Sequence, residues 1–226
     1  MLFDSQGRNK IATDWSAITG IPGMVDFLAD LADPNADRML VWDDTAQALA
    51  FKPASFLGNT WYSNTTIPSG NTVANSTTET AFASSYTIAA GALRAGSVIR
   101  IRMFGTYGTD GVLAPTIQGK LKLGSTAVLD TGSVTAVVSA TNRGWSAEGQ
   151  IIVQSIGTSG AIDAQGQMQF STAATAALAI NMSNTATFTV DTTSTLSVSL
   201  TVQWGTADTD NTITLRQFVV EISSTG

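Results

Sequence analysis

Neither cysteine nor histidine occurs among the 226 residues, and these two absences remove most hydrolase mechanisms at the outset. Without thiols there is no disulfide and no thiolate ligand. Without imidazole, neither Ser-His-Asp nor Cys-His nucleophile systems can be built, nor can the usual nitrogen-ligated metal sites. Charge is scarce as well: Asp, Glu, Lys and Arg make up 12% of the chain, about half of the roughly 25% usual in soluble domains. Eleven Lys and Arg under a net charge of -6 are too few and too dispersed for a nucleic-acid binder, which needs concentrated basic surface. No apolar run approaches the ~20 residues of a membrane span, and the first ten residues lack an apolar signal-peptide core. Membrane insertion and signal-directed export are therefore not expected.

What the chain does contain is alternation. In residues 97–107, Ile99, Ile101 and Met103 fall on one parity and Arg100 and Arg102 on the other, the period-two pattern of a strand with one wet face. The same pattern recurs in residues 116–123, 162–170 and, most cleanly, 196–204, where Leu196, Val198, Leu200, Val202 and Trp204 alternate with Ser197, Ser199, Thr201 and Gln203. In residues 212–222 the parity changes, with Ile213 and Leu215 odd and Phe218, Val220 and Ile222 even. That switch predicts a bulge near Arg216-Gln217. Eight to ten strands over 77–226, separated by turn signals, describe an all-β antiparallel sandwich, with a jelly roll as the expected solution and a closed barrel as the alternative. Residues 173–183 are ambiguous, because their alanines favour helix and their setting favours strand.

Residues 1–60 read differently. Met24, Phe27, Leu28 and Leu31 recur at helical spacing, predicting one short amphipathic helix over 23–32. A hairpin is expected from 38–42 and 48–51, flanking Asp43-Asp44-Thr45-Ala46-Gln47. One helix and one hairpin cannot close a core, so Phe27, Leu31, Trp42 and Phe51 are the candidate anchor residues, to be covered by sister chains or a docking partner. Residues 61–76, rich in Ser, Thr, Asn, Pro and Gly, are expected to link this segment to the head at 77–226.

Candidate chemistry in the head is thin. A glycosidase-like carboxylate pair is possible in principle, but most of the acids fall at expected turns, where Asp serves the backbone. Asp208 and Asp210 have the spacing that opens a calcium loop, yet Ile213 and Val219 stand where an EF-hand needs Gly and Glu. This leaves at most a loose oxygen site, and no metal or cofactor is expected. Tyr107 and Trp204 end strands beside polar loops, where an exposed ring can stack on a sugar or, alternatively, cap the core. With Asp208 and Asp210 they form the candidate surface contact. Ile152 and Ile156 oppose Ile151 and Val153, and Val137-Val138 forms a similar pair. One set lacks a core to join and is expected to meet sister subunits.

A resemblance accompanies these readings. Gly96-Ser-Val-Ile-Arg-Ile-Arg102, Pro115-Thr-Ile-Gln-Gly-Lys-Leu-Lys-Leu-Gly124, Asp130-Thr-Gly132 and Trp145-Ser-Ala-Glu-Gly-Gln-Ile151 together resemble the jelly-roll head of virion proteins of tailed bacteriophages. Asp37-Arg-Met-Leu-Val-Trp-Asp-Asp44 resembles the anchoring segment of phage tail fibres. The resemblance implies a non-enzymatic homotrimer with residues 1–60 attached to other virion proteins and the head turned toward the host surface, possible host glycan included. A capsid decoration or head-fibre protein is the alternative, and a polysaccharide-degrading spike a further one.

Overall fold

The computed structural model describes residues 38–43, 48–53, 59–173, 176–183 and 186–223, and the chain divides into two units, 1–56 and 57–226. In the first unit, β1 (Arg38–Asp43) and β2 (Ala48–Pro53) form an antiparallel hairpin with Trp42 opposite Leu49 and Leu40 opposite Phe51. The helix expected over 23–32, with Phe27 and Leu31, lies outside the described residues.

The second unit is two antiparallel sheets around one hydrophobic core. Its strands are β3 (Asn59–Ser63), β4 (Thr72–Ala74), β5 (Thr80–Ala81), β6 (Tyr86–Ile88), β7 (Val98–Gly108), β8 (Thr116–Leu123), β9 (Thr126–Asp130) and β10 (Val134–Thr135). They continue with β11 (Arg143–Val153), β12 (Gly160–Ala173), β13 (Ala176–Ser183), β14 (Phe188–Val190), β15 (Leu196–Trp204) and β16 (Thr212–Ser223). The large sheet runs β13-β12-β11-β7-β16-β3, with β14 on β12 and β4 on β16. The small sheet runs β10-β8-β15-β5, with β6 on β15 and β9 on β8.

Alternation explains why these residues form these layers. On β7, β8 and β11 buried side chains alternate with half-buried or exposed ones, and β15 keeps the pattern except at Thr201, which is buried as well. Each fully covered Leu, Ile, Val or Phe contributes roughly 1.5–3 kcal/mol. A one-residue slip would turn that whole set outward, so register is specified along the full strand length. On β11, Ile151 and Val153 are buried and Ile152 stands on the wet face.

The expected bulge is present, as the β16–β7 register shifts between Leu215 and Gln217. Asn64 closes it: its Oδ1 accepts from the Phe218 N–H at 2.6 Å and its Nδ2 donates to the Arg216 carbonyl at 3.1 Å. A side-chain amide thus satisfies backbone groups that an extra residue takes out of the ladder.

Residues 61–76 are not a free linker. Val219 to Ser223 of β16 pair with β3, and Thr212 to Thr214 pair with β4. Tyr62 packs on Tyr86 and Phe218, and Val73 is buried. The excursion between β3 and β4 is tied down by Asn71, whose amide exchanges two 2.8 Å hydrogen bonds with Ser84. That same Ser84 lies in the break between β5, which ends at Ala81, and β6, which begins at Tyr86.

Near the middle of the sandwich, Gly149 and Gly166 are register partners on β11 and β12. A Cβ on Gly149 would stand 2.8 Å from Leu121, and one on Gly166 2.7 Å from Leu129. The leucines of the small sheet therefore close directly onto bare backbone of the large one.

Candidate functional site

Both aromatic residues expected at the surface belong to the core. Tyr107 is 2% exposed. Its ring meets Phe170 edge-on and its hydroxyl donates to the Ser171 carbonyl at 2.7 Å, while burial pushes the phenol above its ordinary pKa against the opposing field of Arg143. Trp204 is 0% exposed, and among the described residues its indole N–H has no partner. For Tyr107 the physical reason is length: β12 runs on past the level of Trp145 to residue 173 and so brings Phe170 and the Ser171 carbonyl to its ring. Of the two roles open to these rings, the observed one is capping the core.

Asp208 serves its own turn. Its carboxylate accepts from the Asp210 N–H at 2.8 Å and its carbonyl from the Asn211 N–H at 3.2 Å. Among the described residues no cluster of acids could hold a metal ion. Asn211, buried, carries the turn into its neighbour, since its Oδ1 accepts from the Asp110 N–H at 3.2 Å. Thr109 in turn binds the third loop: its N–H donates to the Ala140 carbonyl at 3.0 Å and its hydroxyl to the Val137 carbonyl at 2.6 Å. The loops at 109–115, 136–142 and 205–211 are thus knitted into one end of the unit. At its tip, Val112 and Leu113 are 81% and 73% exposed.

The opposite end is defined by β16, where Asn59 pairs with Ser223 and, at the far end of the same strand, Gly108 pairs with Thr212. Twelve residues of β16 span about 36–40 Å. The chain therefore enters this unit at one end and carries its three-loop tip at the other.

A second feature lies on the outer face of the large sheet. An open groove of 460 Å³ crosses the strands, with the backbone of Ile101, Gly149 and Gly166 as its floor. One wall is the register row Arg100, Gln150, Gln165, and the other is Arg102, Glu148, Gln167, Asn181. The first wall is braced, with Arg100 Nε donating to Gln150 Oε1 at 3.4 Å and its Nη1 lying 3.6 Å from Glu221. In the second wall, Arg102 and Glu148 are register partners that form no ion pair. Continuing the first row toward the edge, Glu221 pairs with Trp61 of β3, and Trp61 is 66% exposed. The sequence marks Arg100, Arg102, Gln165 and Gln167 as wet-face residues of strands, but only the strand order brings the rows together.

No family model matches this chain, and no curated protein does. Among solved structures, the structure of infectious bursal disease virus Gt strain is similar at 9% identity and a TM-score of 0.26, over 84% of this chain and 38% of that chain. The chain thus spans under two fifths of the length of that protein. Among the described residues no helix is long and apolar enough to cross a membrane.

Proposed function

We propose that this protein is a non-enzymatic virion structural component of a tailed phage, a homotrimeric fibre whose residues 1–60 attach to other virion proteins and whose second unit is a jelly-roll head turned toward the host. The observation that carries the reading is the polarity of the head. Asn59 and Ser223 share one end, and the knitted loops with exposed Val112 and Leu113 form the other. A body attached through the segment preceding Asn59 presents that tip outward. The jelly-roll assignment rests on the order in which the chain visits the two sheets. It goes large at β3 and β4, small at β5 and β6, large at β7, small at β8 to β10, large at β11, small at β15 and large at β16. That alternation supports reading the unit as an eight-strand double Greek key, with β12 to β14 added to the large sheet.

Gold labelling or cryo-imaging of intact particles tests the reading. Fibre density with three copies at the tail is the expected result. Density on the capsid lattice would replace it with the decoration reading, and release of oligosaccharides from host glycan would replace it with an enzyme.

A further inference from the structure

We infer that the transverse groove on the outer face of the large sheet is a binding site for a neutral, linear oligosaccharide, with Trp61 as its stacking platform. The inference rests on the host-surface reading above, gives it a ligand class, and puts the glycan contact on the flank of the head rather than at its loop tip. Four observations converge on the class. The walls consist of guanidinium, carboxamide and carboxylate groups, which offer donors and acceptors side by side and suit hydroxyls that both donate and accept. Arg100 and Arg102 are balanced by Glu148 and Glu221 along the same rows, so nothing selects an anion such as phosphate or nucleic acid. The groove runs across the strands rather than along an edge, where an extended peptide would find backbone partners. Finally, an indole exposed to water stands beyond the groove in the same register row, two strands past Arg100, and an aromatic face with a polar rim is the surface on which the C–H face of a sugar ring packs.

Dimensions agree. Trp61, Glu221, Arg100, Gln150 and Gln165 occupy five successive strands, so the row is about 19 Å long at the ~4.8 Å spacing of strands. That spacing is close to the repeat of a pyranose chain, so successive rings fall beside successive strands. Arg102 and Glu148, which form no ion pair with each other, supply polar groups to the second edge of the chain.

The test uses the full protein on an array of neutral linear oligosaccharides, including maltohexaose and cellohexaose, with a hyaluronan hexasaccharide as the anionic comparator. Tryptophan fluorescence provides the solution readout. Neutral chains are expected to bind and the anionic one to fail. Trp61→Ala should weaken binding by roughly tenfold or more, the loss typical of an aromatic anchor, and the double variant Gln150→Ala/Gln165→Ala should weaken it with Trp61 in place. Thermal melts of each variant confirm folding. The inference is overturned if no neutral chain binds, if both variants bind as the parent does, or if cross-linking from Arg102→Cys shows a second copy covering the groove. Particle imaging is independent of these outcomes: a protein found on the fibre that binds no glycan sinks this inference alone, whereas one missing from the particle sinks the fibre reading.

Discussion

Glu79 offers the sharpest test of how the small sheet is held. It lies on the segment leading into β5, and its carboxylate accepts from Lys120 Nζ at 2.8 Å, Lys122 Nζ at 2.9 Å and the Thr201 hydroxyl at 3.0 Å. The Lys120 bond first, then that of Lys122, holds its pKa at about 2 against an ordinary 4.5, although burial acts to raise it. Because the folded pKa is the lower one, the unfolded chain binds more protons between pH 4.5 and 2. The stabilisation is complete above that window and disappears as pH falls through it.

Taken in full, the shift corresponds to ~3.4 kcal/mol. The Glu79 side chain is 30% exposed, and solvent screening reduces the contribution to about 1–2 kcal/mol. Glu79→Gln keeps the shape and removes the charge, leaving two lysines facing each other. In thermal melts at pH 7 the variant should lie about 2–8 °C below the parent, at the 2–4 °C per kcal/mol usual for this size. At pH 2 the two should converge. Parallel curves across the window, with a constant gap, would show that the carboxylate's charge contributes nothing and that the cluster is ordinary surface.

Three further substitutions probe the frame. Asn64→Ala strips the bulge in β16 of its amide and leaves the Phe218 N–H without an acceptor, for an expected loss of about 1–3 kcal/mol in urea unfolding; a neutral result would mean the bulge closes by itself. Gly105→Ala would drive a methyl into the Thr214 carbonyl and the Trp145 indole nitrogen, which donates to that same carbonyl at 3.1 Å. Overpacking and the lost hydrogen bond together predict about 2–4 kcal/mol by denaturant titration, and a loss under half that would show that the strand yields. Trp145→Phe should cost about 1 kcal/mol more than Trp204→Phe, because the first removes a bonded N–H and the second an unpartnered one; equal costs would place the whole effect in ring volume.

Strand identity was legible wherever alternation is strict. β8 and β15 carry the limits expected from parity alone, and the shift from Leu215 to Phe218 announced the bulge. Legibility failed where a strand's stability comes from a distant partner. β3 and β4 are short stretches set among turn-forming residues and exist because β16 offers them an edge. The alanines of 176–183 follow β12 into a strand against their helical preference. The fate of Tyr107 depends on where β12 ends, information that its own neighbours do not hold. The groove was hidden for the same reason: Arg100, Gln150 and Gln165 are far apart in the chain, and nothing in their local pattern reveals that their strands are adjacent.

The edges of the large sheet differ in what they permit. β3 and β4 are short and separated by the Asn64–Asn71 excursion with its proline, all devices that discourage pairing. β13 is the contrary case: eight residues, Ala-Ala-Leu-Ala-Ile-Asn-Met-Ser, without a charge or a proline, hydrogen-bonded only to β12. Such an edge accepts another strand, and a partner that matches it in length and composition is its own counterpart on a second copy. Pairing of that kind is self-complementary. It relates two copies by a dyad, consumes the open edge of each and stops at two. A three-fold body cannot be closed this way, so the subunits of one must meet through faces or loops, and a dimer seen in dilute solution would report β13 rather than such contacts.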